Sequence, residues 1–193
     1  MKLDLNCTVD YYKDFLSKEE SQEIYNDIFH NYKIATYTKK HFGDKEFISP
    51  NGKIMFLDKE LKDGNKFPYK QWGQSFVWSP LLLNLKKRIE QIAKRQFHVC
   101  VCIYYPDGTT GVGYHSDYIA FGDTSVIPSI SLGMEREFLL REKATQKEHK
   151  MILETGSMLI MGENCQERYE HSLPINPIYK NGRINLTFRK YGL

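Results

Sequence analysis

Two segments of the chain repeat their apolar residues at the period of an amphipathic helix. The first runs from Ser17 to Tyr32 and opens with the capping-box pair Ser17 and Glu20. The second begins at Ser79-Pro80, where proline suits the first helical position, and places on one face Leu82, Leu85, Ile89 and Ile92. Each helix has a single apolar stripe, so we expect both to cover a sheet.

After Gln96 the pattern changes to short apolar runs separated by glycine, proline or polar turns. These runs predict strands at Phe97–Tyr105, Val126–Leu132, Arg136–Arg141, Lys150–Leu153, Ser157–Met161 and Arg183–Arg189. Residues 33–78, between the helices, contain the turn signals Asn51-Gly52 and Asp63-Gly64 and favour hairpins and loops. Two helices followed by many strands indicate an α+β or mainly β fold, in which helices brace a barrel or a double-sheet sandwich.

The last predicted strand has a polar and an apolar face. Alternation places Ile184, Leu186 and Phe188 on one side, and on the other Arg183, Asn185, Thr187 and Arg189. If the apolar face packs into the core, the polar face lies either in solvent, as on an edge strand, or in a cavity.

Composition describes one globular domain. The 193 residues are 41% hydrophobic and 26% charged, which argues against disorder, and no apolar run approaches the ~18 residues of a membrane span. The N-terminus has no apolar signal core, and the four cysteines lack zinc-ribbon spacing, so we expect reduced thiols in the cytoplasm or nucleus. Residues 33–95 hold 14 Lys and Arg against 6 Asp and Glu, which suits either a polyanion-binding face or a solvated lysine-rich surface.

The strongest candidate chemistry is a metal site. His115 and Asp117, two residues apart on an extended segment, project to the same side, and His171 could complete a set of two imidazoles and one carboxylate. Such a set leaves coordination positions open, as a non-haem Fe(II) oxygenase requires. Arg183 and Arg189 lie 12 and 18 residues after His171, and arginine is well suited to a dicarboxylate such as 2-oxoglutarate.

From about Phe97 to Lys190 the sequence resembles the AlkB-like Fe(II)/2-oxoglutarate dioxygenases, especially the nucleic-acid demethylase branch. The matching pieces, in order, are Tyr105-Pro106-Asp107-Gly108, His115-Ser116-Asp117, Ser129-Ile130-Ser131-Leu132-Gly133, Arg136 with Phe138, Gly156-Ser157-Met158-Leu159-Ile160-Met161, His171-Ser172-Leu173-Pro174, and Arg183-Ile184-Asn185-Leu186-Thr187-Phe188-Arg189.

The resemblance implies a double-stranded β-helix (jelly-roll) core in one domain, residues 1–193. Residues 97–193 would form the catalytic core and residues 1–96 the helical support and a nucleotide-recognition lid. Fe(II) would be held by His115, Asp117 and His171. The co-substrate 2-oxoglutarate would contact Tyr105, Arg183, Asn185, Thr187 and Arg189. The reaction would consume O₂, release succinate and CO₂, and remove an N-methyl group from a base as formaldehyde, as in DNA repair or RNA demethylation.

The substrate residues are less closely matched. Met55 and Phe56 could belong to a lid hairpin that presents them to a base, or to an apolar strand packed on the barrel. Tyr118 could contact the substrate or be an ordinary rim tyrosine, and Arg136 could reach the site or form a structural salt bridge. Two departures stand out: Ile103 replaces the family's usual asparagine two residues before Tyr105, and no carboxylate follows Asp117 until Asp123.

These observations lead to three hypotheses. The first is a monomeric dioxygenase that demethylates alkylated bases in DNA or RNA, without a membrane association. The second keeps the chemistry but hydroxylates a protein side chain or a small molecule, as the two departures suggest. The third is a binding module that recognises modified nucleic acid without catalysis.

Overall fold

The computed structural model describes residues 3–36, 39–42, 45–117, 119 and 122–192, with only the backbone for 39–42 and 45–48. The strands are β1 (Val9–Tyr12), β2 (Lys39–Phe42), β3 (Lys45–Ile48), β4 (Gly52–Leu57), β5 (Gln74–Val77), β6 (Val99–Tyr105), β7 (Val112–His115), β8 (Ile127–Gly133), β9 (Arg136–Glu142), β10 (Glu148–Leu153), β11 (Met158–Met161), β12 (Tyr169–Leu173) and β13 (Arg183–Arg189). The α-helices are α1 (Lys18–Asn26), α2 (Lys59–Asp63), α3 (Tyr69–Trp72), α4 (Pro80–Ala93) and α5 (Cys165–Arg168). A π-helical turn (Asp27–Asn31) continues α1, and a 3₁₀ turn follows at Ile34–Thr36.

Two β-sheets form the core of the molecule. The large sheet has seven strands in the order β1-β11-β8-β13-β6-β4-β5, and the small one has four in the order β10-β9-β12-β7. An apolar cluster that includes Val9, Leu159, Phe138 and Tyr169 joins the facing sides of the two sheets. This two-sheet arrangement is the predicted jelly-roll class of fold. A separate two-stranded ribbon pairs β2 with β3.

Helices α1 and α4 cover the outer face of the large sheet. The Ser17 side chain accepts a hydrogen bond from the Glu20 amide at 3.1 Å, and the Glu20 carboxylate accepts one from the Ser17 amide at 2.9 Å, which confirms the capping box. Ser79 caps α4, whose buried face consists of Leu82, Leu85 and Ile89. Ile92, predicted on that face, is 38% exposed because it lies at the last turn of the helix, where the sheet no longer covers it.

The strands predicted after Gln96 are confirmed to within a few residues, but the two halves of the chain are not separate layers. Three strands of the N-terminal half, β1, β4 and β5, belong to the large sheet, with β4 beside β6. Residues 1–96 therefore supply part of the jelly roll as well as the helices that brace it. Within the described ranges, no helix is long and apolar enough to cross a membrane.

Candidate active site

The three predicted iron ligands lie together between the two sheets. His115 at the end of β7 and His171 on β12 are direct partners in the antiparallel register, and their ring centroids are 4.3 Å apart. Asp117 follows β7, and its Oδ2 lies 3.9 Å from Nε2 of His171. Ligand atoms of all three residues lie within 4.8 Å of one another, so a single ion can contact all of them.

Hydrogen bonds prepare the ligand atoms for a metal. Nδ1 of His115 is 2.8 Å from the Gly113 carbonyl oxygen, so it carries the proton and donates, which leaves Nε2 free to bind. Asp117 Oδ1 accepts a hydrogen bond from Arg189 at 2.6 Å. Asp117 Oδ2 is buried and has no hydrogen-bond partner in the described part of the structure. A buried carboxylate oxygen without a partner is costly, and a cation would satisfy it.

The charges of the site keep these groups in the form that binds metal. Burial raises the pKa of Asp117, but the positive charge and the hydrogen bond of Arg189 favour the ionised form, and the pKa falls below its ordinary value. Burial lowers the pKa of His171 to about 4, partly opposed by Asp117. At neutral pH, Asp117 is therefore ionised and His171 is neutral, and these are the states in which carboxylate and imidazole bind metal.

A second polar group lies where β13 meets β6 and β8. Nη2 of Arg183 donates to Ser131 Oγ and to Asn185 Oδ1, both at 2.9 Å, and its guanidinium lies 5.6 Å from the Tyr105 ring centroid. Burial lowers the pKa of Arg183 to about 10, and its Nε has no partner among the described residues. This buried guanidinium is suited to an anion, and a carboxylate is the group that it binds with the best geometry.

Both groups open into one cavity of about 590 Å³. Its walls come from both sheets and include every predicted metal and co-substrate residue, namely His115, Asp117, His171, Tyr105, Arg183, Asn185, Thr187 and Arg189. The polar face of β13 therefore faces a cavity rather than solvent. Ile103 also lines the cavity and lies opposite Asn185 in the register, so an apolar side chain occupies that part of the wall.

The structure corrects the expectation that Met55 and Phe56 face a base. Both lie on β4 and are fully buried. Phe56 packs in the core beneath the helices, with Trp78 stacked at 6.3 Å, and Met55 packs against Phe67 on the opposite face. The apolar run in this segment reflects a strand that is buried on both faces, which was the alternative interpretation.

The structure also gives Arg136 a structural role. Arg136 is fully buried on β9 and donates to the main-chain carbonyls of Asp107, Thr110 and Pro174 at 2.8–3.0 Å. It thereby ties together the two loops that follow β6 and β12. Among the described residues its hydrogen-bond partners are these carbonyls and no carboxylate, and it does not belong to the lining of the cavity. Tyr118 lies outside the described residues.

Sequence reasoning missed several polar residues of the site. Ser131 and Ser129 contact the Arg183–Asn185 pair from β8, and the Gln166 side chain contacts the main chain of Asp117. The alternation in Pro128-Ser129-Ile130-Ser131 could have identified the serines, since it places both hydroxyls on one face. Asn51 and Lys53 line the cavity from the β4 side, where no sequence pattern indicated them.

Comparison with known proteins agrees with this geometry. The sequence model of the 2OG-Fe(II) oxygenase superfamily matches residues 8–189. The mouse protein named alpha-ketoglutarate-dependent dioxygenase alkB homolog 3 is 34% identical over 122 residues, covering 58% of this chain and 43% of that protein. The bovine DNA oxidative demethylase ALKBH2 is 32% identical over 124 residues, covering 58% of this chain and 44% of that protein. The chain thus spans less than half the length of these two relatives.

A solved structure shows the same fold. The structure of OsALKBH1 superposes with a TM-score of 0.66 and 18% sequence identity, covering 97% of this chain and 100% of that one. The superfamily match extends over nearly the whole chain and includes all three candidate ligands and both arginines of β13. The chain therefore belongs to the 2OG-Fe(II) oxygenase superfamily, as an AlkB-like member.

Proposed function

We propose that this protein is an Fe(II)- and 2-oxoglutarate-dependent dioxygenase that oxidatively demethylates alkylated bases in DNA or RNA. The superfamily implies Fe(II), 2-oxoglutarate and O₂ as its cofactor and co-substrates. The observation that carries the proposal is the opening of the His115, Asp117 and His171 cluster into the same cavity as the buried guanidinium of Arg183. The name DNA oxidative demethylase, borne by the bovine relative, supports the substrate class.

The iron would be held by Nε2 of His115, a carboxylate oxygen of Asp117 and Nε2 of His171. When bound, iron supplies the oxidising chemistry that no side chain of this protein can provide. The side chains prepare the site: Gly113 fixes the His115 tautomer through its carbonyl oxygen, and Arg189 holds the Asp117 carboxylate in place through Oδ1. The unpartnered Oδ2 of Asp117 fits a cation at this position.

The distal carboxylate of 2-oxoglutarate would bind at Arg183 and Tyr105. The Arg183 guanidinium is oriented by Ser131 and Asn185 while its Nε remains without a partner in the described part of the chain, so it is arranged to donate to an anion. Asn185, Thr187 and Arg189 continue the same strand face towards the metal ligands. Strand β13 would thus present Arg183 to one carboxylate of the co-substrate and Arg189 to its other end.

The nucleic acid would approach from the β4 side of the cavity. Lys53 lines the wall there, and its ammonium lies 5.8 Å from the Trp72 ring centroid, which offers a cation and an aromatic surface together. Tyr118, next to Asp117 in sequence, would contact the substrate. The net positive charge of residues 33–95 supports contact with phosphates.

One observation favours the second candidate, hydroxylation of a protein side chain or a small molecule. Ile103 lines the cavity, and Asp117 is the only carboxylate among the described lining residues, where it already contacts Arg189. A cationic methylated base would therefore find no free acidic partner on these described walls. The non-catalytic alternative is less favoured because the ligand set and the arginines of β13 are all in place.

The protein is further proposed to be a monomer, folded as one domain over residues 1–193, in the cytoplasm or nucleus. Its four cysteines are free and buried, which supports a reducing compartment. Size-exclusion chromatography with light scattering tests the monomer. A mass near that of a dimer would contradict it.

The central experiment is turnover of methylated oligonucleotides with Fe(II) and 2-oxoglutarate. DNA and RNA strands containing methyladenine, methylcytosine or an etheno base are incubated with the protein, and formaldehyde, succinate and oligonucleotide mass are measured. We expect formaldehyde and a loss of 14 Da, the mass of one CH₂ unit, on at least one methylated substrate. Succinate without any change in oligonucleotide mass would favour the second candidate, and no succinate under any condition would favour the non-catalytic one.

A further inference from the structure

The side chain of Gln166 connects the two chain segments that carry the iron ligands. Gln166 belongs to α5, the short helix directly before β12, on which His171 lies. Its Oε1 accepts a hydrogen bond from the main-chain amide of Asp117 at 2.7 Å. The residue is thus five positions before one ligand in sequence and in direct contact with the main chain of another.

The position of Asp117 explains why such a contact is needed. Strand β7 ends at His115, the residue that pairs with His171, so Asp117 lies beyond the end of the β12–β7 ladder. A strand partner therefore does not satisfy its amide, and a buried amide without an acceptor is costly. The Gln166 side chain supplies the acceptor that the ladder does not reach.

The orientation of the Gln166 amide is fixed at both ends. Nε2 donates to Met161 Sδ at 3.5 Å, and Met161 lines the cavity. Rotating the amide by 180° would turn an NH₂ group towards the Asp117 N–H, where two donors would face each other. One further hydrogen bond, from Ser116 Oγ to the Tyr169 carbonyl oxygen at 3.0 Å, joins the same two segments.

We propose that Gln166 is a positioning residue: it holds the main chain of Asp117 so that the free Oδ2 of Asp117 points at the two imidazoles. This inference rests on the proposed role of His115, Asp117 and His171 as the iron site. Outer hydrogen bonds of this kind orient metal ligands, and their loss commonly weakens metal affinity about ten- to a hundredfold.

The test measures metal affinity without turnover. Mn²⁺, a redox-stable substitute for Fe(II), is titrated into metal-free wild-type protein and the variants Gln166→Met, Gln166→Ala and Gln166→Glu. Ala removes the acceptor and Met replaces it with a weakly accepting sulfur, whereas Glu retains an oxygen that can accept from the Asp117 amide. Gln146→Met is the matched control, because Gln146 contacts the Lys143 carbonyl oxygen on an exposed turn between β9 and β10.

We expect Mn²⁺ to bind about ten- to a hundredfold more weakly to the Met and Ala variants, and within about threefold of wild type to the Glu and Gln146→Met proteins. The EPR spectrum of bound Mn²⁺ should change in the Met and Ala variants, since it reports the arrangement of the ligands. Urea unfolding of the metal-free proteins shows whether the Met or the Ala variant fails to fold. In that case the Mn²⁺ affinity of the other variant decides the test.

Other outcomes would overturn the inference in distinguishable ways. Wild-type Mn²⁺ affinity in both removal variants would show that Gln166 does not position Asp117. Equal losses of Mn²⁺ affinity in the Glu and Met variants would show that the hydrogen-bond acceptor at position 166 is not what maintains the affinity. If wild-type protein bound no Mn²⁺ at all, the proposed metal site itself would fail, and the inference with it.

Discussion

Strands β13 and β4 lie in the same sheet, separated only by β6, and use its inner face in opposite ways. On the outer face they agree: Ile184, Leu186 and Phe188 of β13, like Ile54 and Phe56 of β4, pack beneath the helices. On the inner face β13 presents polar residues to the cavity. On β4, Lys53 alone lines the cavity from that face, while Met55 and Leu57 lie under an apolar cluster with Phe67.

The difference shows how one sheet face changes from a polar wall to an apolar core within about 10 Å, the width of two strand spacings. The segment 58–73, which includes α2 and α3, covers β4 and brings Phe67 onto Met55. Among the described residues, no such cover lies over β13, and its inner face lines the cavity. Polar side chains on β13 therefore face the cavity, whereas a polar side chain at Met55 would be buried in an apolar cluster, so substitutions on the two strands should give different kinds of loss.

The largest effect is expected for Asp117→Ala, which removes a carboxylate from the polar lining of the cavity. Removing the carboxylate deletes one metal ligand and leaves the buried Arg189 without the partner at 2.6 Å. We expect no measurable Mn²⁺ binding and turnover lower by ~1000-fold or more, because a bound metal contributes several kcal/mol. Asp123→Ala is the control, since Asp123 pairs with Arg95 outside this cavity. Wild-type Mn²⁺ affinity in Asp117→Ala would refute the assignment.

The next largest effect is expected for Phe56→Ala, which tests the apolar packing of β4. Phe56 is fully buried among Tyr32, Phe76 and Trp78, so its truncation should lower the free energy of unfolding by about 3–5 kcal/mol. Urea unfolding measures the loss. A lid residue that stacks on a base would behave differently, with little loss of stability and a large loss of oligonucleotide binding, and that pattern would restore the lid interpretation.

A pH dependence of comparable size follows from His171. Its pKa is about 4 in the folded protein against 6.5 ordinarily, because the ring is buried. Between these values the unfolded chain binds a proton that the folded chain does not, so the free energy of unfolding falls as pH falls from 6.5 to 4. At about 1.4 kcal/mol per pH unit, the free energy of unfolding of the metal-free protein should fall by roughly 3 kcal/mol over this window. Urea unfolding at pH 7 and 4.5 measures it, and an equal loss in His171→Gln would assign it to other groups.

A smaller and more selective loss is expected for Arg183→Met. Removing charge-assisted hydrogen bonds to a carboxylate should weaken 2-oxoglutarate binding about 100-fold while Mn²⁺ affinity stays within about threefold of wild type. Calorimetric titration under anaerobic conditions measures both. Arg136→Met is the control, because that equally buried guanidinium contacts main-chain carbonyls and should affect stability instead. Equal losses of 2-oxoglutarate affinity in the two variants would contradict the assignment to Arg183.

The sequence pattern predicted the bounds of β13, and the family resemblance singled out His115, Asp117 and His171, which the structure brings together. Alternating arginine, asparagine and threonine against isoleucine, leucine and phenylalanine predicts a strand with one polar and one apolar face, and the structure has the predicted bounds Arg183–Arg189. The pattern did not decide whether the polar face meets solvent or a cavity. The pairing of His115 with His171 could not be predicted in the same way, since the register between β7 and β12 depends on contacts 56 residues apart in sequence.

The β4 segment was predicted poorly for a related reason. A run of apolar residues shows burial on both faces but not what covers each face, and the cover over Met55 comes from Phe67 beyond a separate helix. Short strands such as β12 lack the length for a periodic signal, and a side chain such as Gln166 acts through a contact 49 residues away. These features depend on tertiary packing rather than on local pattern.

The smallest effect, and the sharpest test of the boundary between the two regions, is expected for Lys53→Met. Lys53 is half-buried on β4, on the same inner face as Met55 but beyond the apolar cluster, so its stability contribution should be within about 1 kcal/mol. If it contacts a phosphate, oligonucleotide affinity should fall about three- to tenfold, and the slope of log affinity against log salt should decrease by about 1. Fluorescence anisotropy at several salt concentrations measures both, with Lys18→Met at the exposed start of α1, outside residues 33–95, as the control. An unchanged salt slope together with weaker 2-oxoglutarate binding would instead place Lys53 with the co-substrate, opposite Ile103. The polar wall of the cavity would then extend from β13 across β6 to β4.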